Sequence, residues 1–424
     1  MSLTSPTMSN ESRTDLLDLT SPRFKANPYP QYARLRADSP VRSTRLPDGR
    51  VAWLVARYAD VAIALKDSRL AKDSRRIEGH HRGVPFERLL EPVLKSLAVN
   101  MLDLDGADHD RLRRLVHKAF TPRLVDQLRD RIQRLADGLL DSAGRSRRFD
   151  LVSGYALPIP ATVIADLLGV PATDRDRFHR WSSRMVSITS GRDFLLALPT
   201  ALLFMRYLRR LFAVRRAEPR EDLITALIQA QEAGDHLSSD ELLSMVFLLL
   251  VAGHETTVNL IASGTLALLE RPDALAWLRN EPDLLASGSA IEELLRFISP
   301  VQIATERYAV EDLQLSGTTV PRGSTVLALI ASANHDEAQF VEPERLDLRR
   351  TPNPHLAFGQ GAHYCLGAPL ARLEAQIAFE TLLRRLPELQ LAISPAQVRW
   401  RRGLFLRGPT ALPVRVGTST QVAA

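Results

Sequence analysis

The stretch Pro354-His355-Leu356-Ala357-Phe358-Gly359-Gln360-Gly361-Ala362-His363-Tyr364-Cys365-Leu366-Gly367 holds the only cysteine of a 424-residue chain. Three glycines around one thiol mark a backbone that turns sharply and lets something approach closely, because glycine tolerates crowded and left-handed conformations. Directly after it, residues 368–386 carry helical periodicity, with Pro369 tolerable in the first turn. Cys365 therefore stands just before a helix N-terminus, where amide N–H groups and the dipole favour a thiolate. A lone cysteine is ordinarily a small buried hydrophobe. Its company argues otherwise: Phe, three Gly, His and Cys at these offsets arise by chance on the order of once in 100,000 chains of average composition.

Upstream, Ser238 followed by Glu241 makes a capping box ahead of an apolar helix running to about Glu270, where Arg271-Pro272 ends it. At 1.5 Å per residue that helix is roughly 48 Å long, enough to cross a domain. Ala252-Gly253-His254-Glu255-Thr256-Thr257 interrupts its middle, and a helical glycine costs about 1 kcal/mol relative to alanine. Two readings compete there: a small-residue packing notch with Glu255 on a wet face, or a chemical site. Glu293 and Arg296 share a helix face at i and i+3; alone they read as a surface pair worth at most about 1 kcal/mol. Helical patterning also covers 104–120, with Leu112, Leu115, Val116 and Ala119 on one face, and continues over 123–143. Strand signals are short: 51–56, Leu313–Leu315, 325–329 and pieces after Leu389. The expected fold class is mainly α with a small β portion.

Composition narrows the field further. With 45% hydrophobic and 25% charged residues, the chain is neither disordered nor collagen-like nor a coiled-coil rod. One cysteine leaves no intramolecular disulfide framework and no sign of an oxidising compartment. Length alone suggests about two or three domains, yet no linker or repeat divides the sequence. Residues 1–22 read as a mobile polar tail and 23–424 as one domain. The net charge is +6, and only five of the 55 cations are lysine. Those arginines are scattered, without the aromatic-studded basic run of a nucleic-acid binder. Neither apolar stretch, 194–205 or 245–253, reaches the roughly 20 residues that span a bilayer, and no signal peptide opens the chain. A cytoplasmic monomer is expected.

Phe358-Gly359-x-Gly361-x-His363-x-Cys365-x-Gly367 resembles the haem-binding signature of the cytochrome P450 family, the haem-thiolate monooxygenases. The resemblance runs from about Asn27-Pro28-Tyr29 to the C-terminal strands and is closest to the soluble bacterial members. It implies a long central helix over a buried haem b, with Cys365 as axial thiolate ligand of the iron; the thiolate favours O–O cleavage in this family. His363, and with it His355, reaches a haem propionate on this resemblance, and Phe358 packs against the macrocycle. His109 and Arg113, at i and i+4, and Arg307 match further propionate contacts. The 252–257 segment resembles the oxygen-activation motif. Ala252 and Gly253 then leave room for dioxygen, Thr256 hydrogen-bonds it, and Glu255 relays protons. Glu293-x-x-Arg296 resembles a buried structural network completed by a downstream basic residue, with Arg350 chosen over Arg349. Leu346 replaces the aromatic that commonly opens that downstream segment.

On that resemblance the chain inserts one oxygen atom of O2 into an apolar substrate, by hydroxylation or epoxidation. Two electrons then come from NAD(P)H through a ferredoxin reductase and a small acidic ferredoxin, for which Arg111, Arg114, Lys118 and Arg123 offer a basic face. A peroxide-driven peroxygenase and a non-catalytic haem or small-molecule binder are the alternatives, and an intact Glu255–Thr256 pair weighs against both. Leu249, Ala252, Val301 and Ile303 are the expected substrate contacts, with the 73–100 loop, the 175–215 helices and a turn near Leu404-Phe405 completing the pocket. Their apolar character suits a fatty acid, steroid, terpenoid or polyketide-like molecule.

Overall fold

The computed structural model describes residues 18–47, 49–77, 100–143, 146–186, 191–232 and 237–417. The expected tail at 1–22 and the 73–100 loop fall largely outside these residues. The folded part begins earlier than expected, however. Leu19 is buried against Phe24 and Tyr32, and Ser21 caps the helix Pro22–Ala26 by accepting the Phe24 N–H.

A five-stranded sheet ties the N-terminal region to the second half of the chain. Its strands are β1 (Val41–Arg45), β2 (Val51–Val55), β3 (Leu70–Ala71), β4 (Arg307–Ala309) and β5 (Thr325–Ala328), in the order β1-β2-β5-β4-β3. β1 and β2 form an antiparallel hairpin with Val41 opposite Val55. β2 runs parallel to β5 with Ala52 opposite Thr325, so the chain returns to the same sheet 273 positions later. A three-stranded sheet of Arg148–Asp150, Pro413–Val416 and Leu389–Leu391, and the hairpin Leu313–Leu315 with Thr318–Val320, complete the β portion.

Helices form most of the remainder, and four of them frame the site: α1 (Gly106–Ala119), α2 (Ser239–Leu269), α3 (Ser289–Ile298) and α4 (Ala368–Arg385). The α2 start is set by the expected capping box, with Glu241 N–H donating to Ser238 Oγ and Ser238 N–H to Glu241 Oε2. By length and composition α2 could cross a membrane, but it is a core helix buried by protein, continuously from Thr257 to Leu268. Small residues let its neighbours come close. A Cβ at Gly264 would stand 2.7 Å from Phe379 of α4, and one at Gly253 would stand 3.1 Å from Ile164 in the helix Pro158–Leu167. The expected 123–143 helix is two, Pro122–Gln127 and Arg129–Ala143, and the second buries Ile132, Ala136 and Leu140 along one face.

Candidate functional site

The Cys365 loop is a backbone-bonded turn clamped before α4. Cys365 N–H donates to Phe358 O at 2.9 Å and Ala371 N–H to Gly367 O at 2.9 Å. Gly359 and Gly361 have φ of +70° and +74°. At Gly361 a Cβ would also press to 3.2 Å from the Leu65 carbonyl, so only glycine fits. The thiol is partly accessible. Burial pushes it above the ordinary cysteine range, opposed by the Gly367 and Ala368 amides and the guanidiniums of Arg113 and Arg372.

Beside this loop lies a buried cluster of basic groups. His109 of α1 and His363 pack with ring centroids 4.4 Å apart and their planes tilted by 51°. Arg307 of β4 is 6% exposed and donates to Leu65 O and Leu70 O. Lys72 donates to Thr305 Oγ1 and Glu306 O, both at 2.7 Å. Burial brings Arg307 down to about 10 and Lys72 to about 8, and burial together with the cations around it lowers His363. Asp103, Glu306 and Asp105 are the carboxylates acting on Lys72, and Asp105 also faces His363 and Arg307. Burial opposes its ionisation, yet His363 and the Asp73 and Lys72 amides hold it at about 2. Two buried nitrogens remain without a hydrogen-bond partner, the Arg307 Nε donor and His109 Nε2, the other ring nitrogen of a histidine whose Nδ1 meets Asp110 at 2.9 Å. Buried polar groups are normally satisfied. Two buried cations, Arg307 and Lys72, with a spare Arg307 N–H make a site that fits carboxylates such as haem propionates.

Two expected members of the cluster stand elsewhere. Arg113 donates to the Tyr364 carbonyl at 2.7 Å, fixing the residue before the thiol. His355 has both ring nitrogens engaged: Nε2 with Glu292 at 3.0 Å, and Nδ1 accepting the Ala357 N–H at 3.2 Å. It belongs to an ion-pair network in which Arg372 grips Glu292 through two bonds of 2.6 and 2.8 Å. That grip and His355 overcome burial and hold Glu292 at about 2. Arg372 also lies 4.5 Å from the centroid of the Phe358 ring. Glu292, Arg372, Lys72 and Asp105 were not foreseen; Arg372 at i+7 from Cys365 on the next helix was the available signal.

Beneath the loop, Glu293 and Arg296 are fully buried and joined by two bonds of 2.8 Å. The surface-pair reading of this motif is therefore incorrect. Arg296 also donates to the carbonyls of Asn334, Pro343 and Arg345, while Glu293 accepts from the Asp347 N–H and Asn353. Arg350 reaches Glu293 at 3.2 Å, whereas Arg349 turns out to pair with Glu281. Removing one partner of such a buried, hydrogen-bonded pair costs about 3–5 kcal/mol.

In the middle of α2, Phe247, Leu248, Leu249, Val251, Ala252, Gly253 and Thr256 are not buried, and of these Leu249, Ala252, Gly253 and Thr256 stand at i, i+3, i+4 and i+7 on one face. Thr256 Oγ donates to the Ala252 carbonyl at 3.1 Å. Glu255 is buried, not wet: Arg401 of the C-terminal hairpin binds its Oε1 at 2.6 Å, and His254 Nε2 lies 4.0 Å from its Oε2. A Cβ at Gly253 would meet the tip of the Ile164 side chain at 3.1 Å, a tight approach that gives this glycine a packing role as well. Next to Thr256, Thr257 faces Glu374 of α4, a fully buried acid that burial pushes up to about 8 against the stabilising Thr257 hydroxyl. Arg401 and Glu374 lie 146 and 119 positions from Glu255, beyond any local pattern. Of the remaining expected substrate contacts, Val301 is partly accessible, but Ile303 is completely buried among Tyr32, Leu54 and Leu327. The extended 301–304 segment points Ile303 into the core rather than toward the accessible face of α2.

Residues 207–391 match the cytochrome P450 family model. The chain is 45% identical to cytochrome P450 107B1 of Saccharopolyspora erythraea over 93% of its own length and 96% of that protein. The chain belongs to the cytochrome P450 family. It is 46% identical to the P450 monooxygenase PikC of Streptomyces venezuelae, over 92% of each. Among solved structures, a myxobacterial P450 in complex with myristic acid superposes with a TM-score of 0.87 at 43% identity, covering 95% of this chain and 99% of that one. The protein is thus an oxidoreductase of the P450 monooxygenase class, whose members bind haem b through a cysteine thiolate.

Proposed function

We propose that this P450 inserts one oxygen atom of O2 into an unactivated C–H bond or an alkene of an apolar substrate, with Cys365 as the residue that would hold the haem iron. The reading is carried by the buried basic cluster beside the Cys365 loop, whose His109 Nε2 and Arg307 Nε have no partner. A buried donor without an acceptor is unfavourable, and a propionate carboxylate would supply the acceptor that Arg307 Nε lacks. Haem, when bound, supplies the redox iron and its oxygen chemistry. His109, Arg307 and His363 bind the propionates, and Arg113 orients the loop through the Tyr364 carbonyl. Phe358, held under the Arg372 guanidinium, would pack against the macrocycle. Thr256 presents a hydroxyl on the accessible face of α2. Glu255, buried one residue away, passes protons toward Thr256 Oγ without opening that face to bulk water.

Electrons come from NAD(P)H by way of a ferredoxin reductase and an acidic ferredoxin. Arg114, Lys118 and Arg123 are exposed and suit such a partner. Arg111 is withdrawn from that face by its ion pair with Glu241. Leu249, Ala252 and Val301 border an apolar substrate, and the related myxobacterial structure holds myristic acid. A fatty acid, steroid, terpenoid or polyketide-like molecule fits this border, in a protein acting as a cytoplasmic monomer. The test is the CO complex of the reduced protein together with turnover. A thiolate-type Soret shift, and turnover with NADPH, ferredoxin and reductase exceeding that with peroxide, are expected. Loss of the shift overturns the ligand assignment, and faster turnover with peroxide alone makes the protein a peroxygenase.

A further inference from the structure

The N-terminal helix Pro22–Ala26 and the turn at 404–407 are clasped by two cations reaching in opposite directions. Lys25 has no exposed surface, and its Nζ donates to Gln302 Oε1 at 2.9 Å, Leu406 O at 3.0 Å and Leu404 O at 3.2 Å. Arg407, 6% exposed, donates back to Lys25 O at 2.8 Å and Ala26 O at 3.2 Å. Its guanidinium lies 4.1 Å from the Trp400 ring centroid. Both charges are satisfied by carbonyls and an amide, with no carboxylate among these partners. A buried ammonium held this way is costly beside a methionine of similar volume. Its retention calls for a task that packing does not perform.

None of these bonds touches the Cys365 loop, the basic cluster or the Glu293 network. They converge on one wall. Phe405 O accepts the N–H groups of Gln302 (2.8 Å) and Ile303 (3.2 Å), and Leu406 bridges to Val301. The side chains of Leu404, Phe405 and Val301 are partly accessible on this wall. Three N–H donors on one ammonium meet three acceptors, two on the turn and one on Gln302, so Lys25 fixes the turn relative to the 301–303 segment. We propose that Lys25 is a positioning residue for substrate selectivity, setting where Val301, Leu404 and Phe405 stand against the substrate. This rests on the reading above that Val301 borders the substrate.

Burial, and then Arg407, bring the Lys25 ammonium down to about 7. The side chains facing it are the amide of Gln302, which also holds the Tyr32 hydroxyl, and the cation of Arg407. The test uses the haem-loaded full chain and those members of a fatty-acid, steroid and macrolide panel that shift the wild-type spin state. Lys25→Met is expected to change the ratios of Kd between panel members by about tenfold, as a small misplacement of a binding wall does. Gln302→Met, which removes the side-chain link from Lys25 to the 301–303 segment together with the bond to the Tyr32 hydroxyl, shifts the same ratios and serves if the first variant folds poorly. A lowered thermal midpoint with unchanged ratios in both variants overturns the proposal, because a purely structural lysine moves stability alone. Phe405→Ala separates the two readings. If it changes the ratios while the other variants do not, the Lys25 proposal falls alone; if Phe405→Ala also leaves them unchanged, the wall does not border substrate and both fall.

Discussion

The two sides of this molecule are built on opposite principles. In the ion-pair networks that support the Cys365 loop the charged groups are multiply engaged: Arg296 spends its donors on Glu293 and three carbonyls, and Glu292 is shared by Arg372 and His355. Along the middle of α2 the reverse holds. Leu249, Ala252 and Thr256 face an accessible surface, and Glu255 depends on one arginine from the far end of the chain. A thiolate ligand needs a fixed position, so its surroundings are saturated with bonds. A face that must admit substrate and move a proton needs space and a group able to change partner, so it is left under-packed.

The largest break in this comparison is at the thiol. Cys365→Ala abolishes the thiolate-type CO spectrum and monooxygenase turnover while leaving the secondary structure measured by circular dichroism intact, because the loop is held by its backbone. Next comes its support. Glu293→Ala leaves Arg296 and Arg350 buried without their carboxylate and costs about 3–5 kcal/mol of unfolding free energy. Arg350→Ala costs less, since its contact to Glu293 is longer and Arg296 remains. Denaturant unfolding monitored by fluorescence distinguishes the two, and equal losses would mean that Glu293 and Arg296 are not the buried centre of the network.

Much of the rigid side was legible because its signals are local. Glycines, histidine and cysteine within ten residues marked the loop, Ser238 with Glu241 marked the first turn of α2, and Arg271-Pro272 marked its end. What stayed hidden was set by distant partners. β1 reads Val-Arg-Ser-Thr-Arg, with little strand character of its own, and pairs only because β2 lies beside it. β3 is two residues long. Ile303 looked like a pocket residue, but the neighbouring Gln302 is drawn to Tyr32 and Lys25, and the segment turns Ile303 into the core. A single sequence carries no signal for the Glu255–Arg401 pair or for the Gly253–Ile164 contact, since each joins segments that meet only in the fold.

On the open side the expected effects are smaller and fall on coupling rather than on folding. Thr256→Val keeps the volume and removes the hydroxyl. Product formed per NADPH consumed is expected to fall about tenfold or more, at the lower edge of what a positioned proton-transfer group supplies, with the excess NADPH recovered as hydrogen peroxide. The CO spectrum stays unchanged, which separates this loss from damage to the thiolate. Unaltered coupling would remove Thr256 from the proton path and leave the accessible face of α2 as a binding surface only.

The smallest effect tests where the two sides meet, at Glu374. Its carboxyl is raised to about 8 in the folded protein from an ordinary value of 4.5, principally by burial. Between those values the folded state holds a proton that the unfolded chain has released, so this group's contribution to stability is full below about 4.5 and is lost as pH rises through about 8. Glu374→Gln keeps the shape and removes the titration. The thermal midpoint of the wild type relative to this variant should therefore decline steadily from pH 5 to pH 8, by a few degrees at most for a chain of this size. A constant difference across that range would mean that Glu374 ionises freely, and that water reaches the α2–α4 contact which its burial closes.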